Sequence, residues 1–221
     1  MTVGRVVRSI CVFGGSRPGA DPAFAVAAAA LGAGIAARGM TLVYGGAKVG
    51  LMGVLADAAL ARGGRVVGVI PRGLVSKEIA HDRLTELFLT ETMDQRKQRM
   101  ILLGDAFVSM PGGWGTYDEV FEVLTLAQIG FHDKPSAFLN VAGYFDPLLS
   151  LLGHAVAHGF AAPQHASLYV SSRDVEALLD AVVAWTPPPF GETWTDRRAI
   201  GGLASRTSGS EPGEPGEPGT E

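Results

Sequence analysis

Asp105-Ala-Phe-Val-Ser-Met-Pro-Gly-Gly-Trp-Gly-Thr-Tyr-Asp-Glu119 runs from an apolar stretch through a glycine-rich bend into an amphipathic segment, Val120 to Ile129. That order spells a strand, a turn and a helix start. Gly112, Gly113 and Gly115 lack Cβ atoms, so the backbone there can crowd a ligand and take positive φ. The open amides of a helix N-terminus favour an anion, most often a phosphate. Asp118 and Glu119, placed in the first helical turn, work against this. A carboxylate beside a phosphate site repels the ligand, so it needs a second reason to be there.

The same alternation extends in both directions. Strand-like runs fall near 7–13, 40–44, 65–70, 84–89, 105–110, 135–140 and 167–171, and helical patterns near 22–38, 49–62, 93–104, 116–129, 144–159 and 173–185. Asp21-Pro22 opens the first helix and Gly39 closes it. The βαβα rhythm implies an α/β fold: a doubly wound, mainly parallel sheet with helices on both faces. Ligands of such sheets sit beyond the carboxyl ends of the strands, at a topological switch point. Residues 1–186 are expected to form one domain. From Pro187 the composition changes: Pro187-Pro188-Pro189 ends the last helix, and 211–219 repeat Glu-Pro-Gly three times. A tail over 187–221 with so little apolar surface is not expected to order itself.

Composition narrows the function classes. Apolar residues make up 47% and charged residues 18% of 221 residues, which suits one globular domain with a sizeable core. The net charge of −4 argues against a broad nucleic-acid footprint. The single cysteine, Cys11, allows no internal disulfide and reads as a small buried hydrophobe. The uncharged stretch Pro22 to Ala37 is shorter than the ~20 residues of a membrane span and fits an alanine-rich packing helix better. No signal core follows Arg5 and Arg8, so a cytoplasmic location and no membrane association are expected.

Two further glycine turns close strands on the ligand side. Gly14-Gly15-Ser16-Arg17-Pro18-Gly19 resembles a dinucleotide turn, but Ser16 stands where a second glycine belongs. No Asp or Glu occurs between Asp21 and Asp57, so the ribose-binding acid of an NAD fold is missing. A mononucleotide or sugar-phosphate site with a Ser16 hydroxyl donor remains, beside the plain reading of a tight turn. Tyr44-Gly45-Gly46 ends the second strand, and Gly50-Leu-Met-Gly53 opens the next helix. Close packing explains Gly50 and Gly53 equally well, which leaves Gly45 and Gly46 as the better ligand candidates.

At 100° per residue, Met93, Met100, Leu103 and Gly104 share one face of their helix, with Arg96 and Lys97 on its flanks. Cations on an apolar face need an anionic partner or a route to water. Either both stems snorkel, or a guanidinium sits in the cleft to grip a phosphate or carboxylate. Thr116-x-x-Glu119 likewise has two readings. It fits a capping box, or Glu119 meets Arg96 as its counter-charge across the cleft. Asp118 is expected to face solvent. His154 and His158 are spaced i, i+4, but the Glu of H-E-x-x-H is absent, so no metal site is expected. No Ser-His-Asp set can be assembled from the isolated His81, His132 and His165.

Pro111-Gly-Gly-Trp-Gly-Thr-Tyr-Asp-Glu119 and Met93-Asp-Gln-Arg-Lys97 together resemble the two signatures of the LOG (Lonely Guy) family of cytokinin riboside 5′-monophosphate phosphoribohydrolases, long mislabelled as lysine decarboxylases. The resemblance covers roughly residues 8–185 and includes Gly14-Gly15-Ser16, Tyr44-Gly45-Gly46, Gly50-Leu-Met-Gly53, Lys77-Glu78-Ile79 and Thr125-Leu-Ala-Gln-Ile-Gly130. It implies a Rossmann-like fold, a homodimer, no cofactor, and hydrolysis of the N-glycosidic bond of adenine-type nucleoside 5′-monophosphates to free base and ribose 5-phosphate. By the same resemblance Arg96 and Glu119 match the catalytic pair. Glu78, Lys97, the loop Gly113-Trp114-Gly115-Thr116, and Thr125 match nucleotide-binding positions, and Pro111 and Gly112 lead into that loop. Trp114 and Asp94 depart from the commoner tyrosine and histidine, which bears on base preference. A lysine decarboxylase would need a lysine set for pyridoxal phosphate, and none of Lys48, Lys77, Lys97 and Lys134 has such a setting. The alternative is a carrier of similar fold that binds a nucleotide or the molybdenum cofactor without hydrolysis.

Overall fold

The computed structural model describes residues 6–75 and 80–188. Seven strands form a single sheet: β1 (Ser9–Phe13), β2 (Thr41–Tyr44), β3 (Val66–Pro71), β4 (Glu86–Thr90), β5 (Ala106–Ser109), β6 (Ser136–Leu139) and β7 (Tyr169–Ser172). Their order is β4-β3-β2-β1-β5-β6-β7, and all six pairings are parallel. The chain winds outward from β1 to one edge, then returns to β5 on the other side of β1. That reversal places the loop after β1 beside the loop after β5, at the carboxyl ends of both strands.

Strand alternation divides the core in two. Ile10 and Val12 of β1 pack with Leu42, Val108 and Leu139 on one face, under α1 (Pro22–Ala37), α2 (Gly50–Ala61) and α7 (Val175–Ala184). Cys11 and Phe13 turn the other way, toward Val43, Val69, Phe107, Met100 of α4 (Met93–Leu103) and Val123 of α5 (Trp114–Gln128). Phe138 and Phe145 continue this second layer beneath α6 (Asp146–Ala157). Cys11 is fully buried there, and burial pushes its thiol well above the ordinary range. The alanine-rich α1 is a packing helix. At Gly32 a side chain would overlap the Leu55 carbonyl of α2, so small residues set the closeness of this pair.

Helix starts follow local chemistry. Asp21 accepts a bond from the Ala23 amide with Pro22 directly behind it, Thr92 caps the Gln95 amide, and Asp174 caps Ala177. A four-residue helix, α3 (Arg72–Val75), follows β3, and short 3₁₀ turns occupy Val141–Gly143 and Pro163–Ser167. None of these three was expected, because each lacks the length that makes periodicity visible. No helix among the described residues is long and apolar enough to cross a membrane. The expected tail lies outside the described residues from position 189 onward.

Candidate active site

The two glycine turns are stitched together by backbone. The Gly15 amide donates to the Pro111 carbonyl at 3.0 Å, and the Leu51 amide at the start of α2 donates to the Gly15 carbonyl at 3.0 Å. Gly50 carries this junction. Its φ is +61°, and a side chain there would overlap the Ser16–Arg17 peptide. Gly112 has a comparable constraint, because a Cβ would overlap the Thr116 side chain and approach the Gly15 nitrogen to 2.9 Å. Gly112, Gly113 and Gly115 all keep negative φ, contrary to expectation. Close approach, rather than left-handed backbone, is the constraint at Gly112.

A cleft of about 570 Å³ opens above this junction, lined by Gly14, Gly15, Ser16, Arg17, Gly45, Gly113 to Thr116 and an apolar wing that includes Met52, Ile70 and Met93. Arg96 and Glu119 also line it, although they are only 9% and 7% exposed. Arg96 Nη1 donates to Glu119 Oε1 at 2.9 Å, and its Nε donates to the Val69 carbonyl at 3.2 Å. The second carboxylate oxygen of Glu119 takes no hydrogen bond among the described residues. Burial pushes the Glu119 carboxyl above its ordinary value, and the Arg96 guanidinium opposes that rise without cancelling it. Gly45 makes room for the pair, since a side chain there would overlap Arg96 Nη2.

Of the two readings of Thr116-x-x-Glu119, the capping box is not formed. Helix α5 begins at Trp114 with Gly113 as its N-cap and no side-chain cap bond, so Glu119 lies more than a turn inside. The expected start at 116 was two residues late because a glycine, not a hydroxyl, holds the cap. Snorkelling fails for Arg96, whose head is buried. Lys97 is held by Asp118 and Glu122, both at 3.0 Å. Asp118 is mostly exposed, as expected, yet it is ion-paired. Met93, expected on the buried face, is 49% exposed at the cleft rim.

Two expected ligand residues stand apart from the cleft, and a third, Glu78, lies outside the described residues. Gly46 has φ +75°, packs against Ile70 and Leu87, and does not itself line the cleft. Thr125 is on the exposed side of α5, in a separate groove with Phe121, Gln128 and Leu152. Pro111 and Gly112 line a second lobe of about 460 Å³ with Phe24, Leu51 and Tyr144, which shares Gly15 to Arg17, Gly113 and Trp114 with the first.

Tyr144 was not singled out from sequence. Its hydroxyl donates to the Gly112 carbonyl and accepts from the Tyr117 hydroxyl at 3.2 Å, so a side chain before α6 pins the turn before α5. Burial and the Tyr144 hydroxyl push Tyr117 up to about 12. The contact spans 32 residues, and no local pattern announces it. The histidines stay outside the cleft. His81 is buried against Asp57 at 3.2 Å, and the rings of His154 and His158, at the end of α6, lie 4.1 Å apart and tilted to each other.

The fold and cleft define a Rossmann-like α/β protein with a mononucleotide-sized site at its switch point. The model of a family described as "possible lysine decarboxylase" matches residues 52–182. A cytokinin riboside 5′-monophosphate phosphoribohydrolase of Rhodococcoides fascians is 47% identical over 79% of this chain and 89% of its own length. One from Arabidopsis thaliana is 41% identical over 81% of this chain and 84% of its own. The chain belongs to this family, the LOG phosphoribohydrolases. Among solved structures, the molybdenum cofactor carrier protein of Chlamydomonas reinhardtii superposes with a TM-score of 0.62 at 25% identity, covering 82% of this chain and 98% of that one. A molybdenum cofactor binding protein from Rippkaea orientalis, at 22% identity and a TM-score of 0.60 over 80% of this chain and 96% of that one, shows the fold alone.

Proposed function

We propose that this chain is a cytoplasmic N-glycosyl hydrolase that cleaves cytokinin riboside 5′-monophosphates and AMP to the free base and ribose 5-phosphate. The buried Arg96–Glu119 pair, opening into the cleft at the start of α5, carries the reading. Bond cleavage at the anomeric carbon builds positive charge on the sugar, as in glycoside hydrolysis. A carboxylate whose second oxygen is unbonded can stabilise that charge and take a proton from the attacking water. Water adds to the anomeric carbon as OH, the bond to the base breaks, and the proton Glu119 took from that water balances the one the departing base gains. Arg96 holds Glu119 ionised and orients it. Amides of residues 113–116, with the Thr116 hydroxyl, receive the 5′-phosphate, and the apolar wing of Met52, Ile70 and Met93 receives the base. One turn thus binds the anion and presents the opposing charge, which is the second reason the sequence called for.

Residues 1–186 act as one domain in this reading, and the enzyme works as a homodimer. Thr125 supports the dimer. It matches a nucleotide-binding position, yet it lies on the far side of α5 from its own cleft, beside exposed Phe121. A nucleotide could meet it only across a subunit boundary. The carrier-like neighbours keep a second reading in view, but a non-hydrolytic phosphate binder gains nothing from a buried carboxylate at the site. The purified protein incubated with AMP, GMP, CMP and isopentenyladenosine monophosphate should release base from the adenine nucleotides with the highest kcat/KM. A tightly bound pterin recovered from the protein, with no base released from any of the four, would reverse the assignment.

A further inference from the structure

Among the described residues, three cations line the cleft: Arg17, Arg96 and Lys97. Two are committed, Arg96 to Glu119 and the Val69 carbonyl, and Lys97 to Asp118 and Glu122. Among the described residues, Arg17 is the member of this trio with neither a carboxylate nor a carbonyl partner. Its backbone is nevertheless well fixed. Gly15 is bonded to both Pro111 and Leu51, and Gly50 abuts the Ser16–Arg17 peptide. The exposed side chain therefore starts from an anchored point where both lobes of the cleft meet, beside Gly113 and Trp114.

A phosphate monoester seated on the amides of residues 113–116 carries roughly −1.5 to −2 charge at neutral pH. The helix terminus offers only about half a positive charge. With Arg96 and Lys97 spent on carboxylates, Arg17 is the cleft-lining cation left among the described residues to balance the phosphate. A guanidinium is also suited to the task, because its planar fork can grip two phosphate oxygens at once. Its exposure without ligand avoids leaving a buried charge uncompensated.

We propose that Arg17 binds the substrate's 5′-phosphate and is the residue by which the site selects nucleoside monophosphates over nucleosides. The proposal rests on the hydrolase reading for its substrate. It leaves Arg96 and Glu119 to the sugar end of the same molecule.

The test compares full-length wild type, Arg17→Gln and Arg17→Lys, with AMP and adenosine as substrates and inorganic phosphate as a competitive inhibitor. Arg17→Gln should raise KM for AMP about 10- to 100-fold with kcat held within a few-fold, the loss expected for one charge-assisted contact. Its kcat/KM for adenosine should stay at the wild-type level, inhibition by phosphate should weaken in step with AMP, and Arg17→Lys should recover part of the loss. Equal losses on AMP and adenosine, or no loss on AMP, would overturn the proposal. If the wild type releases no base, the hydrolase reading fails by itself. Calorimetric binding of AMP against adenosine then decides Arg17, and AMP affinity that Arg17→Gln leaves unchanged, or that is absent from the wild type, overturns it.

Discussion

Glu119 shows how one side chain can be tuned by two opposing effects. Burial raises its carboxyl, and the guanidinium 2.9 Å away draws it back toward the ionised form, leaving it above its ordinary 4.5. A reaction that needs the carboxylate must therefore fail as pH falls through a value higher than 4.5. The acid limb of kcat/KM against pH should lie there, and Arg96→Gln should move it further up because the stabilising charge is gone. An acid limb at or below 4.5, or one that Arg96→Gln leaves in place, would show that another group titrates. Both members of this pair could be named from sequence because each broke a local rule: a carboxylate where phosphate was expected, and a cation on an apolar helix flank. Gly45 was legible as a ligand candidate and lines the cleft, but its packing role was not. That role, space for Arg96, is a contact across 51 positions that no local pattern encodes.

At the scale of elements, continuous apolar runs and turn punctuation placed the seven described strands and six of the seven described helices, because the central strands are buried on both faces and the helices are long enough to read. What stayed hidden is how elements meet. The start of α5 depends on a glycine cap, the pairing of Lys97 depends on α4 lying beside α5, and the pinning of Gly112 depends on the turn that delivers Tyr144. That turn holds Ala142 at φ 51° and is braced by Asn140, which accepts from the Phe145 amide and donates to Asp146 at 2.7 Å each. Tyr144→Phe should keep the fold, with Tm shifted by only a few degrees. It should weaken AMP binding severalfold, because Gly112 and the amides behind it lose their brace. Calorimetry on the folded variant checks this, and wild-type affinity would show that the stitch to Gly15 suffices. Gly112→Ala should be harsher. A Cβ meeting the Thr116 side chain and the Gly15 amide must displace the turn, so AMP affinity should fall by about tenfold or more, read in the same titration.

For the whole molecule, the sheet order brings the first and fifth strands side by side, and everything assigned to phosphate and sugar lies where their loops touch. The face carrying Phe121 and Thr125 lies elsewhere and is the surface assigned to a second copy. Light scattering should give twice the chain mass, and Phe121→Asp should yield a monomer with impaired turnover. A wild-type monomer with full activity would remove the dimer from the account. The central claim is that Glu119 drives departure of the base, and single-turnover release of adenine from AMP measures this most directly. The wild type should release adenine and ribose 5-phosphate in equal amounts. Glu119→Gln should bind AMP as well yet release adenine ~10²-fold more slowly or worse. A Glu119→Gln protein that releases adenine at the wild-type rate would contradict the account.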